Sequence, residues 1–277
     1  MMSPDPRRVT RVLWTAVASA ARHRFHARSL PRDEPFSRAR KRRRRYTLPA
    51  QSKTPREIPL DFGRCPTDSR NCETIMFNFR NLFGSGNKSK EAEGIRFLEF
   101  CEANFGGKPS TIHVLPSSKP GLPDISTFIW HDNPEPGIMT VVSYGLSLMR
   151  KKEWIKGRPE LMLRVESKDE KWGFAVAAFI DMFREEKSFV YQTILTIDEP
   201  LTTESEMKGF FTFAPALSEP EKMTFSDTDG LPIHLSGFYP IYIEERDLLP
   251  RIGLEAFWKH ERYDPMSVSR PNLAKLS

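Results

Sequence analysis

The chain has 277 residues, of which 39% are hydrophobic, and a formal net charge of +6. The apolar content is sufficient for a folded core, and the sequence has no run of about 18 apolar residues, so no membrane-spanning helix is expected. Residues 1–75 contain 18 basic and 7 acidic residues, whereas residues 76–277 contain 24 basic and 29 acidic residues. The net positive charge therefore belongs to residues 1–75. Residues 76–277 are mildly acidic, which argues against phosphate binding by that part of the chain.

The N-terminal segment, residues 1–75, is rich in Arg, Pro and Ser and has no sustained hydrophobic periodicity. Such a composition predicts disorder, because it buries too little apolar surface to offset chain entropy. Three interpretations are open. The segment is an over-extended start before Met76, a native disordered tail whose run Arg38–Arg45 contacts nucleic acid or serves as an address signal, or a targeting signal around Pro6–Ala21. The first is favoured, and residues 76–277 are predicted to form one domain.

Hydrophobic patterning from Met76 onward predicts an α+β fold. Helical spacing with a Gly106-Gly107 stop predicts a helix over Glu91–Phe105, and a second apolar helix is predicted over Phe174–Arg184. Runs of alternating, β-branched or aromatic residues predict strands, namely Thr111–Leu115, Ser126–Trp130, Thr140–Tyr144, Glu160–Val165, Phe189–Ile197, Phe210–Phe213 and Ile233–Ile243. Many strands with few helices predict an antiparallel-rich mixed sheet with a few packing helices.

The sequence shows no pattern typical of an enzyme or a metal site. Gly84–Ser89 lacks the spacing of a phosphate-binding loop, and Asp227–Gly230 begins like a calcium loop but lacks the later glutamate, so a turn is predicted. The histidines of the predicted domain are widely spaced along the chain, namely His113, His131, His234 and His260. We therefore expect no enzymatic activity, cofactor, metal or small-molecule substrate.

Cysteine usage indicates a reducing compartment. Cys65 and Cys72 lie in the N-terminal segment, and only Cys101 lies in the predicted domain, where it falls in an apolar helical pattern. One cysteine cannot cross-link a domain, so a cytoplasmic location is expected.

Two charged segments are candidates for partner binding. The loop Leu148–Gly157 carries Arg150, Lys151, Lys152 and Trp154 between two predicted strands. Arg and Trp are frequent in binding hot spots, and the favoured alternative is a solvated loop whose Trp packs on the core. The second segment carries three acids, namely Glu244, Glu245 and Asp247. The favoured alternative is that these acids complement the dipole of a helix N-terminus.

Several phrases in order resemble the Suppressor of fused domain family. Tyr144–Ser147 reads YGLS, Glu160–Arg164 reads ELMLR, Trp172–Phe174 opens the apolar helix, and Gly253–Phe257 resembles the short helix near the family's end. The resemblance covers residues 110–271 and implies the fold of that family and a non-enzymatic, protein-binding module.

The resemblance also bears on the partner. In eukaryotic members, the loop that follows the YGLS-like phrase begins with an aromatic residue that helps to hold the partner peptide, and an acid-rich insertion follows it. In this sequence Arg150 takes the place of the aromatic residue, and the insertion is shortened. A Gli-type transcription factor is therefore not the expected partner.

Similarity to bacterial members that look like immunity proteins predicts a protein that masks a cognate toxin. The mildly acidic domain would suit a basic toxin such as a nuclease. The alternative is a regulatory scaffold that sequesters an endogenous transcription or signalling factor. Either partner is a protein rather than a membrane, with nucleic acid expected only through Arg38–Arg45.

Overall fold

A computed structural model of the protein describes residues 88–215, 220–226 and 230–276. The predictions for residues 1–75, and the turn predicted around Asp227–Asp229, lie outside these ranges. The elements follow in this order: α1 (Lys88–Asn104), β1 (Thr111–Leu115), β2 (Ile125–Trp130), β3 (Ile138–Tyr144), β4 (Arg158–Glu166), α2 (Lys171–Phe183), β5 (Ile194–Thr196), β6 (Gly209–Phe213), β7 (Thr224–Phe225), β8 (Ile233–Ile241), α3 (Glu245–Ile252) and α4 (Leu254–Trp258). Short 3₁₀ turns cover Pro220–Met223 and Leu273–Lys275.

One mixed sheet has the strand order β1-β2-β3-β4-β8-β6-β5, with β7 beside the start of β8. The first four strands form an antiparallel meander, β8 is parallel to β4, and the remaining described pairs are antiparallel. The predicted antiparallel-rich mixed sheet with a few helices is thus confirmed.

The central strands are buried on both faces, which explains why β2 and β3 contain no exposed residue. Because side chains alternate along a strand, Phe128 and Val142 face α1 and contact Phe97 and Cys101. Neighbouring positions on the other face pack against α2, for example Ile129, Val141, Val176, Phe179 and Ile180. The predicted core position of Cys101 is confirmed.

The second half of the sheet is covered by α3 and α4. Phe211, Tyr239 and Ile241 project to the same face as α1 and pack against Leu248 and Phe257. The chain is thus layered, with α1, α3 and α4 on one face of the sheet and α2 on the other.

The predicted strand over Phe189–Ile197 is wrong for most of its length, since only Ile194–Thr196 pairs with β6. Phe189 and Gln192 have φ values of 52° and 68°, which interrupt an extended strand. Phe189 is fully buried, so the backbone turns to insert this ring into the core. The predicted strand ending at Ile243 ends at Ile241, and the two-residue β7 escaped prediction because it is too short to show a period.

None of the helices in the described ranges is both long and apolar enough to cross a membrane.

Candidate protein-binding site

The predicted cationic loop borders an open groove. The groove has a volume of about 520 Å³, within the usual range for binding pockets. It lies between the start of α1, the β3–β4 loop and the segment before β8, and its lining comprises Glu93, Ser147, Leu148, Met149, Arg150, Lys151, Trp154, Arg158, Gly230 and Leu231. Arg150, Lys151 and Trp154 of the predicted site therefore meet at one surface feature.

Glu160 holds the beginning of this loop. Its carboxylate is fully buried and accepts hydrogen bonds from the Ser143 hydroxyl at 2.5 Å and from the Gly145 and Ser147 backbone N–H groups at 2.8 Å. Burial raises the pKa of Glu160, and these hydrogen bonds oppose the rise. The two phrases YGLS and ELMLR are thus joined by one buried side chain.

Gly145 allows the chain to leave β3 at this point. Its φ is 129°, and a Cβ placed there would lie 2.4 Å from the backbone oxygen of Asp124. A side chain is therefore excluded by conformation and by contact, which explains why glycine ends the strand.

Arg158 fixes the other side of the groove. Its two Nη atoms each lie 3.2 Å from an oxygen of Glu93, and its Nη1 and Nε also donate to the backbone oxygens of Ser147 and Leu231. One guanidinium therefore connects α1, the β3–β4 loop and the segment before β8. Sequence reasoning missed Arg158, Glu93 and Leu231 because the contacts join residues more than 60 positions apart.

Trp154 is an anchor of the loop rather than an exposed binding residue. Its side chain is only 5% exposed, and the indole N–H donates to the Ser188 backbone oxygen at 2.7 Å. Lys151 extends the same contact, because its Nζ donates to the Glu185 backbone oxygen at 2.5 Å. The structure therefore favours the alternative in which the Trp packs on the core.

The acidic segment also divides into buried and exposed residues. Glu245 is fully buried and forms a two-pronged ion pair with Arg270 at 2.6 and 2.7 Å, whereas Glu244 and Asp247 are exposed. Glu245 and Asp247 lie in the first turn of α3, as the helix-dipole alternative predicts. Glu245 is therefore a structural residue.

Two of the dispersed histidines meet at one carboxylate. Glu170, at the start of α2, accepts from the Thr111 hydroxyl at 2.7 Å and lies 3.1 Å from the Nε2 atoms of both His113 and His131. No group of His, Cys, Asp and Glu side chains in the described ranges could hold a metal ion. We call Glu170, Thr111, His113 and His131 the Glu170 cluster. The cluster connects the start of α2 to β1 and to the end of β2.

The structure is thus a mixed sheet covered by helices, with an open groove at one loop. The family model described as Suppressor of fused protein (SUFU) matches residues 121–272, more than half of the chain. The chain therefore belongs to the Suppressor of fused family, and the resemblance stated from the sequence is confirmed at family level.

Three solved structures are similar to parts of this chain. A SUFU homolog from Neisseria gonorrhoeae FA 1090 has 16% identity and a TM-score of 0.46, and the match covers 58% of this chain and 87% of that chain. The Sufu–Fu complex has 12% identity and a TM-score of 0.49, and the match covers 65% of this chain and 92% of that chain. Drosophila Suppressor of fused has 14% identity and a TM-score of 0.42, and the match covers 56% of this chain and 44% of that chain. Comparison with curated proteins found no match.

Proposed function

We propose that this protein is a non-enzymatic binding module that takes a segment of a partner protein into the groove beside the β3–β4 loop. The observation that carries the proposal is the groove itself, whose walls are held by Glu160, Arg158 and Trp154 from three sides. Rigid walls favour binding because little order must be gained when a partner segment enters. Membership of the family is consistent with this role, and one similar structure is a complex of Sufu with Fu.

The specific role that we propose is neutralisation of a toxin by masking it. The partner would be a toxin domain, and the chain would act stoichiometrically in a reducing compartment such as the cytoplasm, where the buried thiol of Cys101 stays reduced. Sequestration of an endogenous regulatory protein is the second candidate, because the same groove would serve either partner.

Leu231 provides the test of the groove. The full chain would be used to capture partners from its own cells, beside the variants Leu231→Asp and Leu276→Asp. The two leucines are each 44% exposed, but only Leu231 lines the groove. We expect a stoichiometric partner to be captured by the wild type and by Leu276→Asp, and to be lost with Leu231→Asp. Equal capture by all three proteins would contradict the proposal.

The identity of the captured protein separates the two candidates. A toxin would arrest growth when expressed alone, and co-expression of this chain would restore growth. A captured regulator would show no growth arrest, and its own activity would fall in proportion to the amount of this chain added.

A further inference from the structure

The sign of the charge around the groove is opposite to that of residues 76–277 as a whole. Residues 148–157 carry four cations and one acid, whereas residues 76–277 have more acids than cations. Arg150, Lys152 and Lys156 are exposed, and none forms an ion pair or side-chain hydrogen bond with a residue of the described ranges. Lys151 donates to a backbone oxygen rather than to a carboxylate.

Among the described residues that line the groove, Arg150 and Lys151 are not balanced by a free carboxylate. Glu93 is the acid in its lining, and both of its oxygens are paired with Arg158. The uncompensated positive charge of Arg150 and Lys151 therefore faces whatever enters the groove, and it is reinforced by Lys152 and Lys156 in the same loop.

Apolar surface lies beside this charge. Leu148, Met149 and Leu231 line the groove, and Ile155 is 79% exposed in the same loop. An occupant that fits both features carries carboxylates and at least one apolar side chain.

We infer that the groove binds an acidic, apolar-containing segment of the partner, an inference that rests on the proposed function and adds the chemistry of the ligand. A nucleic acid strand would also carry negative charge, but such strands are bound by stacking on exposed aromatic rings. The aromatic residue of the groove lining, Trp154, is buried and engaged with Ser188. The inferred acidic segment is compatible with a partner that is basic as a whole, because only the segment enters the groove.

The test uses the full chain and three fluorescent probes measured by anisotropy. The first probe is a short peptide of glutamates and serines with two spaced leucines. The second replaces each glutamate with lysine, and the third is a single-stranded oligothymidylate of equal negative charge. The variants are R150E/K152E/K156E and, as a control for the basic N-terminal run, a chain in which the cations of residues 38–45 are replaced by glutamine.

We expect the acidic peptide to bind roughly tenfold or more weakly to the triple variant than to the wild type, with the same ratio when residues 38–45 are neutral. The lysine peptide should show the reverse order. The inference is overturned if the triple variant binds the acidic peptide as the wild type does, or if the oligothymidylate loses more affinity than the peptide.

The captured partner separates failure of this inference from failure of the proposed function. If the triple variant captures the partner as well as the wild type does while Leu231→Asp fails, the segment is not acidic but the groove still binds it. If Leu231→Asp also captures the partner, the groove is not the binding site and both proposals fail.

Discussion

A single buried carboxylate explains why two separate phrases of the sequence belong together. Glu160 of ELMLR accepts hydrogen bonds from Ser143, Gly145 and Ser147, in and beside YGLS. Replacing the Glu160 carboxylate leaves these buried donors unsatisfied, which costs about 1–3 kcal/mol for each group. At the scale of residues, the phrases that resemble the family are therefore the ones that build one wall of the groove.

Gly145→Ala should destabilise the protein more than Gly107→Ala. Gly107 also has a positive φ, of 106°, but a Cβ there meets nothing within 4 Å, whereas at Gly145 it would lie 2.4 Å from the Asp124 oxygen. We expect a loss of about 1 kcal/mol for Gly107→Ala and about 3 kcal/mol for Gly145→Ala in the free energy of unfolding. Urea denaturation of both variants measures the difference, and equal losses would show that the contact is relieved.

The Glu170 cluster should make the stability depend on pH. Burial lowers the pKa of His113 and outweighs the attraction of Glu170. Burial raises the pKa of Glu170, but hydrogen bonds from Thr111, His131 and His113 outweigh it and leave that pKa lowered. Both shifts act in the same direction. The contribution of each group to the free energy of unfolding is fully present above that group's pKa in the unfolded chain. The contribution of His113 is lost as the pH falls below about 6.5, and that of Glu170 is lost as the pH falls below about 4.5.

Thermal unfolding at a series of pH values checks this expectation. His113→Gln keeps a hydrogen-bond donor but does not titrate, so we expect a flatter loss of stability between about pH 7 and pH 5.5. His260→Gln serves as the control, because His260 lies outside the cluster. If the stability of His113→Gln depends on pH as that of the wild type does, His113 is not the source of the pH dependence.

At the scale of elements, the β3–β4 loop is held at three places. Glu160 fixes its beginning, Trp154 attaches its middle to Ser188, and Arg158 attaches its end to α1. The loop therefore presents its cations from a constrained backbone, and Trp154 contributes to the groove by orienting the loop.

Trp154→Phe should loosen this loop. The change removes the hydrogen bond from the indole N–H to Ser188 and part of the buried surface, at a cost of about 1–2 kcal/mol. We expect faster amide hydrogen exchange in residues 148–157. Trp258→Phe is the control, since Trp258 packs against Phe213 and Tyr239. Faster exchange in the loop of both variants would mean that general destabilisation is responsible.

Strands with a continuous pattern were predictable, and sites built across the sequence were not. β1–β4 follow their sequence patterns because each strand is a run of apolar or alternating residues. Phe189–Ile197 has a similar composition, but tertiary packing of Phe189 overrides its strand propensity. The cations of the groove were visible in the sequence, whereas the pairing of Glu93 with Arg158 depends on the packing of α1.

At the scale of the whole molecule, a buried ion pair holds the C-terminal segment to α3. Arg270 is paired with Glu245, donates to the Pro240 backbone oxygen, and lies over the rings of Tyr242 and Tyr263 at 5.5 and 4.9 Å. Both side chains of the pair are at most 2% exposed. The final residues are thus part of the fold although they lie outside the sheet.

Arg270→Met should cost about 3 kcal/mol in the free energy of unfolding, because it leaves the Glu245 carboxylate buried without its partner. The double variant Arg270→Met/Glu245→Gln should recover part of that loss, since no unpaired charge remains. Arg251→Met, at an exposed position in the last turn of α3, should change stability by less than about 0.5 kcal/mol. A loss for Arg270→Met no larger than that for Arg251→Met would contradict the role of the pair.

The parallel pairing of β4 with β8 has a consequence for how the chain folds as it is made. Arg158 pairs with Ile233, which emerges from the ribosome 75 residues later, a delay of roughly 4–15 s at usual rates of translation. The meander β1–β4 is complete before that time, so β4 waits with an unpaired edge. Closing this long loop should limit the folding rate, and the waiting edge is where a nascent chain would be most open to aggregation.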